Sequence, residues 1–131
     1  LFINSRSMME MNYESILSYF SLIQSKISKN GFFLCINRYY KDLVGYPIEF
    51  HRYPFKNNWK TIISDVSWMQ PHSHFLLTRK VNEKKSDIRE TLKYIKSNYL
   101  KVLKNDNFFF RRWLPVSLYR FYKIGKHFIF N

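Results

Sequence analysis

Short apolar runs alternate with polar stretches over the first 41 residues. Leu1–Ile3 and Phe32–Ile36 are continuous apolar runs, and such runs are typical of parallel strands that are covered on both faces. Between them, residues 13–29 carry apolar side chains at helical spacing, which predicts an amphipathic helix. Its apolar stripe comprises Ile16, Leu17, Phe20, Ile23 and Ile27. The pattern therefore predicts two parallel strands joined by a crossover helix.

The residues at both ends of this helix favour the same boundaries. Asn12 is a good N-cap, and Glu14 lies in the first turn, near the positive end of the helix dipole. Asn30 and Gly31 follow the helix. We expect Gly31 to adopt the left-handed conformation that commonly follows a helix.

The pattern changes after residue 41. A short strand is expected at Ile48–Phe50, whereas Trp59–Met69 and Ser73–Lys80 are longer strand candidates. Their short connection favours an antiparallel hairpin. A second amphipathic helix is predicted over residues 87–104, with Ser86 as its cap. Its inward stripe comprises Ile88, Leu92, Ile95, Tyr99, Val102 and Leu103. The predicted fold class is therefore α/β.

Composition narrows the class of protein. A chain of 131 residues suits one domain, and its 46% hydrophobic and 20% aromatic content argues against general disorder. Cys35 is the single cysteine, which excludes a disulfide scaffold, a cysteine-based zinc site and a CxxC redox pair. We interpret it as a small core residue. No apolar run has the length of a membrane span, and no signal peptide opens the sequence. A cytoplasmic protein is expected, with membrane association as the alternative.

The formal net charge of +13 has two possible interpretations. It can mark a nucleic-acid or anionic-membrane partner. It can also reflect codon usage, because Lys, Asn, Ile, Phe and Tyr are all abundant while alanine is absent. Residues 1–80 carry ten basic and five acidic side chains, and residues 81–131 carry twelve and four. The excess is concentrated in the second segment, so a solvated surface is expected for the first.

Polar residues follow both predicted parallel strands. Ligands of open α/β sheets bind outside the carboxyl ends of the strands, and two groups of residues occupy that position. The first comprises Asn4, Ser5, Arg6 and Ser7, and the second comprises Asn37, Arg38 and Tyr39. Glu10 is the one carboxylate close to the first group. The structural alternative is that Asn4 and Ser5 cap a turn while Glu10 interacts with a helix dipole.

Several strings of residues resemble the sugar O-methyltransferase family. They are INSRSMMEM at 3–11, YFSLIQSKI at 19–27, GFFLCINRYYK at 31–41, IEFHRYPFKNNWKTIISD at 48–65 and HSHFLLTRK at 72–80. The resemblance covers residues 1–80. It implies the second half of a Rossmann-like methyltransferase sheet. The basic, aromatic-rich tail at 81–131, in which C-terminal helices are predicted, lies outside the resemblance. The complete family fold has seven strands, the last one inserted antiparallel, and uses S-adenosylmethionine.

The cofactor half of such a fold is missing from these residues. The family fold has a glycine-rich loop after its first strand and an acidic residue after its second. Gly31, Gly45 and Gly125 are far apart and form no GxGxxG motif. By the resemblance, Leu1 would begin the fourth strand, and the missing half would account for a sequence that starts without Met. We expect no cofactor-binding residues in this chain, and no activity from it alone.

The resemblance implies roles for the polar residues. The acceptor would be a sugar, a nucleotide-sugar or a polysaccharide, in cell-surface polysaccharide biosynthesis. Substrate-binding candidates are Asn4, Ser5, Ser7, Asn37, Arg38 and Tyr39. Arg38 would bind a phosphate or diphosphate through its planar guanidinium, unless it is an ordinary surface arginine. Glu10 is the candidate base for the hydroxyl proton.

His72 is the back-up candidate for the base. His72 and His74 form an HxH pattern, which on a strand places both side chains on one face. This spacing suits a metal, but no third ligand is evident, so ordinary strand histidines are expected.

The basic tail suggests a different function. Arg111 and Arg112 begin a string of aromatic and basic residues that extends to Phe130. This string could pack against another part of a larger protein, lie on an anionic membrane through residues 108–131, or bind RNA by base stacking. Nucleic acid ranks last because no recognised motif is present. The alternative function is therefore a non-catalytic module that binds an anionic membrane or polyanion through residues 86–131.

The first strand suggests self-association. In the family fold it would pair with a strand that this sequence lacks, so its edge at Leu1–Ile3 would be open. Exposed apolar edges favour pairing with another chain. We expect dimers or aggregates through this edge.

Overall fold

The computed structural model describes residues 1–41, 47–67, 70, 72–82 and 86–105, with side chains as far as residue 101. Leu1–Tyr99 forms one compact unit. The main strands are β1 (Phe2–Ser5), β2 (Phe32–Arg38), β5 (Trp59–Val66) and β6 (Ser73–Lys80). Two short strands, β3 (Tyr40–Lys41) and β4 (Ile48–Glu49), pair with each other. The helices are α1 (Tyr13–Lys26) and α2 (Ile88–Asn105), with 3-10 turns at Ser7–Glu10 and Phe50–Arg52.

The main strands form a mixed sheet in the order β1-β2-β6-β5. β1 and β2 are parallel, and α1 connects them. β6 runs antiparallel to both of its neighbours, β2 and β5. The predictions of an α/β fold, of a parallel pair with a helical connection, and of an antiparallel hairpin at the third and fourth main strands are confirmed.

Helix α1 begins where the sequence predicts. The Asn12 side-chain oxygen accepts a hydrogen bond from the Ser15 amide at 2.8 Å, which satisfies a free N–H group of the first turn. Three predicted stripe residues, Ile16, Phe20 and Ile23, are buried, but Leu17 is 44% exposed. The helix ends at Lys26 rather than at residue 29.

In the turn after α1, the residue that adopts the left-handed conformation differs from the predicted one. Asn30 has a φ of 64°, so asparagine, not Gly31, occupies the left-handed conformation. A Cβ atom on Gly31 would lie 2.6 Å from Cγ2 of Ile27 and 2.9 Å from the Ser28 oxygen. Glycine is therefore required at position 31 by the close approach of the chain, not by its φ angle.

Helix α2 has a different cap from the one predicted. The Ser86 hydroxyl is buried without a hydrogen-bond partner, whereas the Asp87 carbonyl accepts the Thr91 amide at 3.0 Å. Asp87 therefore precedes the first helical turn as its cap residue. Its carboxylate accepts the Thr61 amide of β5 at 2.8 Å, which attaches the helix to the sheet. Ile88, Ile95 and Tyr99 are buried as predicted, and the side chains of Val102 and Leu103 lie outside the described part.

Both helices pack on the same face of the sheet. Phe20 of α1 contacts Phe33 of β2 with ring centroids 5.8 Å apart, and Tyr94 of α2 contacts His74 of β6 at 6.2 Å. Strand alternation and the register place Phe33 and His74 on one face. We call this side the covered face.

The opposite side, here the open face, carries the alternate residues. Its apolar members are Leu1, Ile3, Phe32, Leu34, Ile36, Ile63, Phe75 and Leu77. Leu1 is 81% exposed and Ile3 is 58% exposed. The prediction that the first strand is covered on both faces is therefore wrong within the described part of the chain, because both helices lie on one side.

Strand β2 is longer than its apolar run. Asn37 and Arg38 belong to the strand and pair with His74 and Ser73 of β6. The prediction that these two residues follow the strand is therefore wrong. The ladder with β6 holds their backbone, so their side chains are placed by a strand rather than by a mobile connection.

Candidate functional site

A buried polar chain lies at the carboxyl ends of β1 and β2. Asn37 donates to the Asn4 side-chain oxygen at 3.0 Å and also contacts Cys35 Sγ at 3.2 Å. Asn4 in turn donates to the Ser7 hydroxyl. Asn37 is fully buried and Asn4 nearly so, whereas Ser7 is exposed. The three residues therefore connect the surface to the interior through neutral hydrogen-bonding groups.

Asn37 retains one polar atom without a partner. Its side-chain oxygen is buried and accepts no hydrogen bond. Exchanging the oxygen and nitrogen of the amide would leave the nitrogen unpaired instead, so either orientation leaves one hydrogen bond unmade. The Tyr53 hydroxyl is likewise buried without a partner. Buried polar groups without partners are uncommon, and such groups favour a water or a ligand group as the missing partner.

Cys35 lies in the core, as predicted. It is free, fully buried and 3.2 Å from the Asn37 amide nitrogen. Burial raises the pKa of its thiol to about 12, although the Asn37 contact opposes the rise. The thiol therefore stays protonated at neutral pH, and a nucleophilic role is unfavourable.

A second polar cluster surrounds His74, which the sequence analysis did not select. The Ser64 hydroxyl lies 2.8 Å from His74 Nε2, and the Tyr39 hydroxyl lies 3.0 Å from Nδ1. His74 is fully buried, and Asn37 is its register partner across the sheet. The two clusters therefore occupy the same end of the sheet on the covered face.

Burial determines the protonation of this cluster. Desolvation lowers the pKa of His74 to about 4, and the negative charge of Asp65 only partly offsets it. Desolvation also raises the pKa of the Tyr39 hydroxyl to about 12. Both groups are therefore neutral near pH 7. A neutral imidazole between two hydroxyls donates to one and accepts from the other, so it orients both.

Glu10 lies at the surface beside the polar chain. Its carboxylate forms an ion pair with Lys41, and its side chain is 65% exposed. Because Lys41 lies in the short strand β3, which follows β2, the pair joins the segment after β1 to the segment after β2. The structure thus places Glu10 near the carboxyl ends of both parallel strands, as a surface group rather than a buried one.

The HxH pattern does not place its two histidines together. His72 is exposed in the turn before β6, whereas His74 is buried within the strand. The His72 carbonyl accepts the Tyr39 amide at 2.9 Å. The expectation that both side chains share one strand face is therefore wrong, because β6 begins at Ser73. Among the described residues, no group of three metal-ligating side chains is present.

The remaining candidates divide into exposed and buried residues. Ser5 and Arg38 are exposed at the ends of β1 and β2, whereas Tyr39 is buried against His74. The structure brings Asn4, Ser7 and Asn37 into direct contact, and adds Ser64 and His74 to the same end of the sheet. One sequence signal could have found His74: the predicted hairpin strand runs antiparallel to its neighbour, which brings its first residues to the ligand-binding end.

Among the described residues, no glycine-rich loop of the kind that the resemblance implies for S-adenosylmethionine is present. Gly31, the only glycine in the described part, follows α1, where an added Cβ would meet Ile27 and Ser28, so this glycine permits a close approach of the chain. A shallow depression on the surface of α1 is lined by none of the candidate residues. No family model, curated protein or solved structure matches this chain.

Proposed function

We propose that this chain is the acceptor-binding half of a Rossmann-like O-methyltransferase domain that acts on a sugar hydroxyl in polysaccharide biosynthesis. The observation that carries the proposal is the strand order β1-β2-β6-β5, with the last strand inserted antiparallel between β2 and β5. This is the arrangement that the resemblance predicts for the second half of the sheet. Residues elsewhere would bind the cofactor.

The position of the polar chain supports the acceptor role. Ligands of open α/β sheets bind outside the carboxyl ends of the parallel strands, and Asn4, Ser7 and Asn37 lie there. Carboxamides and hydroxyls both donate and accept hydrogen bonds, as recognition of a neutral sugar requires. The unpaired polar atom of Asn37 offers one further hydrogen bond.

Within this proposal, each group has a definite task. Asn4 and Asn37 orient the acceptor through Ser7, the exposed end of the polar chain. Glu10 takes the proton of the acceptor hydroxyl, and its ion pair with Lys41 holds the carboxylate beside the strand ends. Arg38, exposed at the end of β2, contacts the phosphate of a nucleotide-linked acceptor.

Calorimetry of the 131-residue chain tests the proposal in two parts. We expect no binding of S-adenosylmethionine, and micromolar binding would contradict the absence of a cofactor site. We expect millimolar or tighter binding of a neutral sugar or nucleotide-sugar from a panel of common hexoses. Asn37→Ala should weaken that binding at least about tenfold, the cost of about one hydrogen bond to a buried group.

Asn82→Ala provides the matched control. Asn82 is exposed just beyond the carboxyl end of β6, at the opposite end of the sheet. It should bind as the unsubstituted chain does. Equal losses in Asn37→Ala and Asn82→Ala, or no sugar binding at all, would refute the acceptor role.

A second function rests on the surface of α2. Arg89, Lys93 and Lys96 are exposed, and helical spacing places them within a strip about 60° wide. No helix within the described residues is long and apolar enough to span a membrane. A basic strip can still bind an anionic membrane surface from outside. Residues 108–131, which were predicted to contribute, lie outside the described part.

Vesicle co-sedimentation tests this second function. Binding to vesicles with anionic lipid should decrease as salt increases, and it should be lost in Lys93→Glu/Lys96→Glu. Lys26→Glu/Lys29→Glu, at the end of α1, makes the same change in net charge at another site. Equal effects of the two double variants would show that only net charge matters and would remove the α2 strip as the binding site.

A further inference from the structure

The open face of the sheet carries a continuous apolar row. Ile3, Leu34, Leu77 and Ile63 are register partners across β1, β2, β6 and β5. Ile36 and Phe75 lie together in the next row. On a sheet, register partners on one face stand side by side. The row therefore crosses the full width of the sheet without a polar interruption.

The ends of this row are accessible. Ile3 is 58% exposed on one edge strand and Ile63 is 46% exposed on the other. A register irregularity between Thr61 and Ile63 also leaves Ile62 exposed. Contiguous apolar surface of this kind marks an interaction site more often than an ordinary solvated surface.

Charged residues lie on either side of the row on β5. Lys60 pairs with Arg79, one row before Ile63 and Leu77, and Asp65 pairs with Phe75, one row after. Both Lys60 and Asp65 are exposed. They are therefore equally far from the central row and carry opposite charges.

We propose that the open face binds a second copy of this chain, with the two-fold axis along the Ile3–Ile63 row. Rotation about this axis places β5 of one copy over β5 of the other and reverses the strand direction. Lys60 of each copy then lies opposite the partner copy's Asp65, while the leucines of the central row meet their own counterparts. The apolar rows and the Lys60–Asp65 pairs are therefore self-complementary, as a two-fold interface requires. Arg79, in the same row as Lys60, faces Phe75 of the other copy.

The size of the face sets the expected affinity. Four strands at about 4.8 Å spacing and three rows at about 7 Å cover roughly 400 Å² per copy, about half of a standard specific interface. We therefore expect a weak, reversible dimer with a Kd in the range of about 10 μM to 1 mM. The interface uses the face opposite to the polar chain, so the sugar-binding experiments and the dimerisation experiments test different surfaces of the sheet.

Sedimentation equilibrium of the full chain tests the dimer. Ile63→Glu should weaken dimerisation at least about thirtyfold, because the two-fold axis places the two new carboxylates opposite each other at the end of the central row. Leu17→Glu is the matched control, since Leu17 is exposed to a similar extent on α1. It should dimerise normally. Circular dichroism and thermal melting establish that both variants fold.

A charge exchange tests the orientation. Lys60→Asp and Asp65→Lys should each weaken the dimer about tenfold, because each creates two like-charge contacts across the two-fold axis. The double variant Lys60→Asp/Asp65→Lys should restore affinity to within about threefold of the unsubstituted chain. A double variant as weak as the single variants would overturn this orientation.

Two further outcomes would overturn the proposal. A chain that stays monomeric at concentrations up to about 1 mM has no such interface. Association that survives Ile63→Glu would instead use the edge of β1, because Ile63 lies on the opposite edge strand. That result would support the expected pairing through Leu1–Ile3 in place of the open face.

Discussion

His74 lies inside the protein between the Ser64 and Tyr39 hydroxyls, at 2.8 and 3.0 Å. Its position could not be predicted from the HxH pattern, because strand alternation treats His72 and His74 alike. The difference arises from the start of β6 at Ser73, which leaves His72 in the turn. One residue of strand length thus decides which histidine is buried.

Stability should decrease as the pH falls through the window set by His74. Its pKa is about 4 in the folded chain, against an ordinary value of 6.5. Below pH 6.5 the unfolded chain binds a proton that the folded chain does not, so acid favours unfolding until about pH 4. As the pH falls from about 7 to about 4.5, His74 should lower the free energy of unfolding by about 2–3 kcal/mol.

Urea unfolding at these two pH values measures this contribution. His74→Gln retains hydrogen-bonding groups but does not titrate, so it serves as the reference. The unsubstituted chain should lose about 2–3 kcal/mol more than the variant on acidification. Equal losses in both chains would show that His74 is protonated in the fold or exposed to solvent.

Asn30 and Gly31 should respond differently to substitution. Gly31→Ala should destabilise the fold by about 1–3 kcal/mol, because the new methyl group would lie 2.6 Å from Ile27 Cγ2. Asn30→Gly should be neutral or slightly stabilising, since glycine favours the φ of 64° that Asn30 adopts. Thermal melting of both variants checks these roles of Asn30 and Gly31. An Asn30→Gly variant less stable than the Gly31→Ala variant would contradict them.

At the scale of elements, strong periodic patterns were sufficient to predict type and position. Helix α1, the α1 cap at Asn12 and the β5–β6 hairpin follow from apolar spacing and one capping residue. The ends of elements were harder to predict. Lys80 donates from β6 to the carbonyls of Gln24 and Ile27, both at 2.7 Å, and this contact between distant residues satisfies the last carbonyls of α1.

The start of helix α2 was also hard to predict from the sequence, and its cap residue can be tested by mutation. Asp87→Ala should lower the free energy of unfolding by about 1–2 kcal/mol, because it removes the acceptor for the Thr61 amide. Ser86→Ala should change it by less than about 0.5 kcal/mol, because the Ser86 hydroxyl has no hydrogen-bond partner. Chemical denaturation distinguishes the two residues, and a larger effect of Ser86→Ala would restore serine as the cap.

At the scale of the whole molecule, the sheet order and the covered face position the candidate site. The polar chain of Asn4, Ser7 and Asn37 was predictable in part, because polar residues follow two apolar strands. Ser64 was not, because it reaches the site from a separate strand, through its contact with His74. The open face was not predictable either, because a continuous apolar run shows a tendency to be buried but does not show what covers it.

The central claim is the proposal that the carboxyl ends of β1 and β2 bind a sugar acceptor and that this chain does not bind S-adenosylmethionine by itself. The most direct measurement is an amide-resolved NMR titration of the 131-residue chain with a neutral sugar and, separately, with S-adenosylmethionine. The sugar should shift the side-chain amides of Asn4 and Asn37 and the backbone amide of Ser7, and S-adenosylmethionine should shift none. Sugar-induced shifts confined to the opposite end of the sheet, near Asn30 and Lys80, or saturable shifts with S-adenosylmethionine, would contradict the claim.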